Sequence, residues 1–378
     1  MNLLRRCTTW LREHPAAVRW PLGLLVLGAV FAFNREAFLN LRTRSVDWRF
    51  ASAAVLLTVA SILLTHVRWF LLVWALDFPF RLGEAIRIGF LGYLFNYIGP
   101  GAVGGDLVKA LMIARRQPLR RAVAAATVLL DRLIGLIALM ILGAVVSWLM
   151  RHEMTAPVFE TVRVVFTTGA VAGTLGLGIL LLPRAGTARW ITETVSRLPI
   201  VGHLAAEFSA SAALYQSRPK VPVSAVLLSL VSHMLMMTAF YCCGRAIAGD
   251  RIAGDGVVPG YLEHLVFLPP AQLAGLIPLL PGGIGALEGA LEYFYRISGA
   301  VEGDGFLTGL AYRVVTIVIG VIAAAFCLGR REEIEAALHS SPDEAPEAAP
   351  ESPAAGTPPA DSHIQQVSAQ PGELFPAP

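Results

Sequence analysis

Asn96-Tyr97-Ile98-Gly99-Pro100-Gly101-Ala102-Val103-Gly104-Gly105-Asp106 interrupts one long apolar segment, and Pro278-Leu279-Leu280-Pro281-Gly282-Gly283-Ile284-Gly285-Ala286-Leu287-Glu288 interrupts another. Each interruption joins proline to glycine and small residues. An arginine follows each proline at the same interval, Arg132 after Pro100 and Arg313 after Pro281. A chain that breaks two membrane segments in corresponding positions, and repeats a charge at the same offset, reads as a transporter with internal repeats.

Composition supports a bilayer protein. Hydrophobic residues make up 55% of the chain, charged residues 15%, and the mean hydropathy is +0.62. A soluble domain carries roughly a quarter charged residues. Several runs approach the roughly 20 apolar residues that cross about 30 Å of hydrocarbon. Full spans are expected near 20–36, 52–76, 121–149, 161–182, 221–247 and 306–328, with broken runs near 84–114 and 261–298. The first span follows Arg5, Arg6, Arg12 and Arg19 and lacks a small-residue cleavage site, so it reads as uncleaved. Cys7, Cys242, Cys243 and Cys327 have no zinc spacing and imply no disulfide framework.

The segment 340–378 is a different material. Nine prolines and six acidic residues, with no lysine or arginine, predict a disordered tail after a membrane domain at 1–339. Setting those negative charges aside raises the membrane part above the chain's net +3, as suits basic cytoplasmic loops. Segment 184–220 reads as an amphipathic helix on the cytoplasmic surface or as a linker packed on the bundle.

Orientation follows lysine and arginine in short loops. Lys109, Arg115, Arg116, Arg120 and Arg121 mark one cytoplasmic loop; Arg184, Arg189, Arg197, Arg218 and Lys220 mark a second; Arg330 and Arg331 mark a third. The poorly basic stretches 151–160 and 248–260 read as external. The loop 35–50, with Arg35, Arg42, Arg44 and Arg49, is the exception. This assignment closes only if each broken run enters and leaves on one side. The expected fold is therefore an all-α polytopic membrane protein. It has about six full spans plus two re-entrant Pro-Gly-broken hairpins related as an inverted repeat, with both termini cytoplasmic. Non-helical backbone at membrane depth is tolerated only inside protein or beside a water-filled cavity, so the hairpin tips are expected inside the bundle.

The breaks also suggest chemistry. The second half-helix of each hairpin starts with unpaired N–H groups and a positive dipole end, a place for an anionic headgroup. Gly101, Gly104, Gly282, Gly283 and Gly285 would let that headgroup approach the backbone. Arg132 and Arg313 lie well inside their spans, where a charge needs a partner. They read either as phosphate ligands or as staples between hairpin and span. Asp131 adjoins Arg132, but neighbours on a helix do not face each other. Asp106, Lys109 and Asp131 are charges of the first half; Glu288 and Glu292 share a face of the second hairpin. Glu288, about two turns into its half-helix if that starts at Pro281, reads as a salt-bridge member or a proton carrier. His66, Arg68 and His233 lie within spans, and a lone histidine there is more simply a hydrogen-bonded packing residue than a proton relay. Glu263 and His264 are placed near the external interface. No metal site, cofactor motif or soluble catalytic signature such as GxSxG, a Walker motif, HExxH or GxGxxG is present, which excludes ATP-driven pumping by this chain alone.

The ordered set of residues 95–106, Thr127-Val128-Leu129-Leu130-Asp131-Arg132, residues 280–288 and Ala311-Tyr312-Arg313 resembles the flippase-like family that includes the membrane part of lysylphosphatidylglycerol synthase. The likeness covers roughly 15–335. It implies a multi-pass inner-membrane protein that moves a phospholipid or polyprenyl-linked lipid with an anionic headgroup, working beside a separate lipid-modifying enzyme. Members that make the lysyl-lipid carry a soluble aminoacyl-transfer domain, whereas here a disordered tail follows the spans. That difference argues against aminoacylation. The rival expectations are a membrane enzyme acting on a lipid headgroup, with Glu288 as base, and a non-transporting subunit of a lipid-pathway complex. Nothing points to nucleic acid.

Overall fold

The computed structural model describes residues 39, 45–98, 104–181, 214–248, 259–276 and 285–328. The expected first span at 20–36, residues 184–213 of the expected cytoplasmic segment, and the tail lie outside them. So do Pro100, Gly101, Pro281, Gly282 and Gly283. The described chain is helical throughout: α1 Trp48–Trp74, α2 Leu82–Ile98, α3 Gly104–Arg116, α4 Arg121–Leu149, α5 Pro157–Leu181, α6 Lys220–Ala248, α7 Tyr261–Gly275, α8 Ala286–Ile297 and α9 Asp304–Leu328. Five of these, α1, α4, α5, α6 and α9, are long and apolar enough to cross a membrane. The protein is an all-α polytopic membrane protein.

The helix ends follow from local chemistry. Asp47 caps α1 by accepting from the Arg49 N–H at 2.9 Å. The carbonyl end of α1 collects donors: Tyr215 Oη bonds the Leu72 carbonyl, Arg218 that of Ala75 and Arg120 that of Leu76. Cations at a helix C-terminus satisfy orphan carbonyls and oppose the negative dipole end. Glu292 accepts from the N–H groups of Gly303 and Phe306, and so caps α9.

The two broken runs are helical hairpins. Helix α2 has 17 residues and α3 has 13. They extend about 25 Å and about 20 Å, short of a bilayer core. The Glu84–Arg116 ion pair, 2.5 Å, joins the start of α2 to the end of α3. In the second hairpin, His264 near the start of α7 bonds Tyr295 near the end of α8 at 2.5 Å. The Gly260 carbonyl holds the His264 Nδ1–H, so Nε2 accepts from the tyrosine hydroxyl. His264 is thus a wholly buried clasp. Helix α7 continues through Pro269 and Pro270.

Helices α1 and α6 form the central pair and run antiparallel. The Asp47 N–H reaches the Ala246 carbonyl at one end, and Arg218 reaches Ala75 at the other. At their crossing, Ser61 Oγ donates to the Ser232 carbonyl and Ser232 Oγ donates to that of Ser61. The remaining contacts correspond pair by pair. Helix α2 packs on α1, α3 and α9; α7 packs on α6, α8 and α4; α3 packs on α4 as α8 does on α9. Each set has its own core. Trp69, Leu72, Ile88, Ile113 and Ile134 anchor the first, and Phe240, Phe267, Leu291, Phe294 and Tyr295 the second. Helix α5 leans on α4 and exposes Val164, Val171, Leu175 and Ile179, an apolar face suited to lipid.

Candidate functional site: two arginine–carboxylate pairs at the hairpin tips

Helices α3 and α8 begin at the tips of their hairpins, and the third residue of each is acidic, Asp106 and Glu288. Each carboxylate takes an arginine from the following long helix. Arg132 Nε lies 2.6 Å from Asp106 Oδ2 and its Nη2 lies 2.8 Å from Oδ1, a two-pronged pair. Arg313 Nε lies 2.5 Å from Glu288 Oε1. The matched prolines thus signal matched pairs, because an equal interval from break to arginine carries each guanidinium back to the tip.

The surroundings of the two pairs differ. The side chains of Glu288 and Arg313 are 2% and 14% exposed; those of Asp106 and Arg132 are 19% and 46% exposed. Arg132 opens between the exposed leucines Leu129 and Leu133 of α4. The first pair is partly open, while the second is enclosed.

Glu288 also corrects the expected geometry. Helix α8 starts at Ala286, not at Pro281, because Gly285 sits at φ 93° and a left-handed residue cannot lie inside the helix. Glu288 therefore occupies the first turn rather than the second, and its Oε2 accepts from the Gly285 N–H at 2.8 Å. That amide is occupied by the protein's own carboxylate, so Gly285 offers a headgroup no free donor. In the first hairpin Asn96 Oδ1 likewise accepts from Gly105 N, 2.9 Å. Gly104 opens α3 and is buried.

Asp131 does not serve Arg132. It faces α1, where it takes Arg68 Nε at 2.7 Å; Arg68 Nη1 donates to Ser229 Oγ on α6, also 2.7 Å. Arg68 and Asp131 are both buried. This link among α1, α4 and α6 carries no local sequence signal beyond two charges inside apolar runs, each needing a partner. Lys109 is buried one turn after Asp106, its Nζ 5.7 Å from the Trp69 ring centroid. Glu292, grouped with Glu288 in sequence, caps α9 instead. His233 donates from Nε2 to the Gly135 carbonyl at 3.0 Å. Among the described residues no cluster of histidine, cysteine and acidic side chains is arranged to hold a metal.

The family model of the lysylphosphatidylglycerol synthase TM region matches residues 20–324. A UPF0104 membrane protein of Methanothermobacter thermautotrophicus is 24% identical over 312 residues, covering 76% of this chain and 87% of that protein. No solved structure matches the chain. The matched stretch contains both hairpins and both arginine–carboxylate pairs, and the chain belongs to the family of the lysylphosphatidylglycerol synthase transmembrane region.

Proposed function

We propose that this protein is a flippase-like lipid transporter that carries a phospholipid or polyprenyl-linked lipid with an anionic headgroup across the cytoplasmic membrane. The observation that carries the reading is the pair of arginine–carboxylate contacts at the interior ends of two hairpins. A headgroup phosphate competes with a carboxylate for the planar guanidinium fork, so each arginine can pass between an internal partner and a bound lipid. The antiparallel α1–α6 pair supports arranging the two sets as inverted repeats, the architecture in which one half rocks against the other around a central site. The open Arg132 marks the half that receives lipid in the present conformation. The chain acts as a transporter rather than an enzyme, and the modified lipid comes from a separate membrane enzyme. The basic end of the bundle, with Arg81, Arg116, Arg120, Arg218 and Lys220, faces the cytoplasm.

Lipid movement is measurable in vesicles of phosphatidylcholine with tail-labelled fluorescent phosphatidylglycerol, where externally added dithionite bleaches only outer-leaflet label. The protein should accelerate exchange between leaflets. Arg132→Lys and Arg313→Lys keep the charge but lose the fork and should each slow it by about tenfold. Full activity in both variants would remove bidentate phosphate recognition from the mechanism.

A further inference from the structure

The exchange of hydroxyl–carbonyl bonds between Ser61 and Ser232 fixes how α1 maps onto α6. The same offset places buried Thr58 on buried Ser229, each bonding a carbonyl one turn back, Ala54 and Ala225. Further along, His66 falls on Met237 and Arg68 on Ala239. The matched tip carboxylates place Lys109 on Leu291, and the matched arginines place Asp131 on Tyr312. Four ionisable residues of the first half thus correspond to methionine, alanine, leucine and tyrosine in the second. Met237, Ala239 and Leu291 are each 0% exposed. The architecture packs these positions with apolar side chains, so it does not need charge there. Buried charge is a poor way to stabilise a fold that an apolar set can build.

Arg68 and Asp131 satisfy each other and Ser229. His66 and Lys109 do not. They are 2% and 7% exposed. Neither ring nitrogen of His66 has a hydrogen-bond partner. Lys109 makes no hydrogen bond or ion pair among the described residues, and its Nζ lies 5.7 Å from the Trp69 ring centroid. The two side chains pack against one face of α2. Gly89 and Gly92 share a face of α2, and the room left by their missing Cβ atoms is taken by the His66 ring and the Lys109 stem. Trp69, one turn beyond His66 on α1, lies beside the Lys109 ammonium, and Phe90 is edge-on to His66 with ring centroids 5.0 Å apart. Because Arg68–Asp131 and Arg132–Asp106 are neutral as pairs, Lys109 is the excess positive charge of the cluster.

We propose that His66 and Lys109 form an internal site for an anionic phosphate group, which under the transporter reading above is the phosphodiester of the lipid cargo. The ammonium supplies charge and up to three donors, and the imidazole supplies one N–H, against the acceptor-only oxygens of a phosphodiester. The second half has no counterpart, so the headgroup is held on one side of an otherwise matched bundle.

Isothermal titration of the full-length protein in detergent, with dihexanoylphosphatidylglycerol and separately with inorganic phosphate, tests the site. Lys109→Leu and His66→Met install residue types that the second half already packs. Each should weaken dihexanoylphosphatidylglycerol binding by about tenfold with no fall in melting temperature. Lys109→Arg, which keeps the charge, should retain binding and covers the case in which the leucine variant fails to fold. Inorganic phosphate bound with the same Lys109 dependence supports the site and identifies a free anion as its source. Wild-type protein that binds neither probe, or leucine and methionine variants that bind both probes within about twofold of wild type, overturn it. Undiminished lipid movement by Lys109→Leu sinks the site alone. A wild-type protein that binds phosphate through Lys109 but moves no lipid sinks the transporter reading alone.

Discussion

Glu288 and Asp106 hold corresponding positions with the same kind of partner, yet their surroundings predict different costs of removal. Glu288 is 2% exposed and serves both Arg313 and the Gly285 amide. Glu288→Gln keeps the shape and the cap acceptor but leaves a largely buried guanidinium without its carboxylate. Breaking a buried pair in this way costs about 3–5 kcal/mol. Asp106→Asn breaks a pair whose arginine is 46% exposed. The expected cost there is smaller, because the more open guanidinium can take another partner. Thermal unfolding of both variants in one detergent gives the comparison, and equal losses would contradict the asymmetry. At this scale the sequence was legible where a break supplied a ruler. Pro100 and Pro281 pointed to Arg132 and Arg313, and both arginines found hairpin carboxylates. It was not legible where partners sit on helices far apart in the chain. Arg68 and Asp131 meet because α1 packs on α4, and no interval in the chain encodes that approach. The start of α8 was misplaced because the left-handed turn at Gly285, not Pro281, sets it.

Elements were easier to read than contacts. Apolar length located all five described spans to within a few residues, since crossing hydrocarbon leaves the backbone only the helix. What length could not show is how closely hairpin arms approach. Helices α2 and α3 meet at Gly92 and Gly105, where a Cβ on Gly105 would collide with the Gly92 carbonyl oxygen and the Asn96 side chain. A backbone atom cannot turn aside as a side-chain end can. Gly105→Ala should therefore wedge the hairpin open and lower stability by about 1–3 kcal/mol. Gly289, inside α8, has nothing within 4 Å of its missing Cβ. Gly289→Ala should be neutral or gain about 0.5–1 kcal/mol, the ordinary preference for alanine in a helix. Melting temperatures of the two variants test whether close approach, rather than helix propensity, governs the glycines of the tips. A Gly105→Ala protein as stable as wild type would mean that the arms have slack.

The whole molecule raises the question of which way each hairpin opens. The mouth of the first lies at the end where α1 terminates and α4 begins, held by Glu84–Arg116 and adjoining Arg120 and Arg218. The mouth of the second lies with the start of α9, where Glu292 of α8 caps the Gly303 and Phe306 amides. Three long helices, α4, α5 and α6, separate the hairpins in sequence. Three crossings would place the two mouths on opposite faces of the membrane, as the transporter reading requires. Ordinary spans would make a different forecast, because a first broken run that crossed outright would put Asp77 and Gln117 on opposite sides. Single cysteines at Asp77, Gln117 and Ser298, in a protein whose native cysteines are replaced, can be labelled in intact cells with an impermeant thiol reagent. Asp77→Cys and Gln117→Cys should both stay unlabelled until the membrane is opened, as the basic loops require. Ser298→Cys should label at once. Labelling of Asp77→Cys without Gln117→Cys would make the first hairpin a single kinked span. Protection of all three would place both mouths in the cytoplasm and leave the alternating-access reading without its geometry.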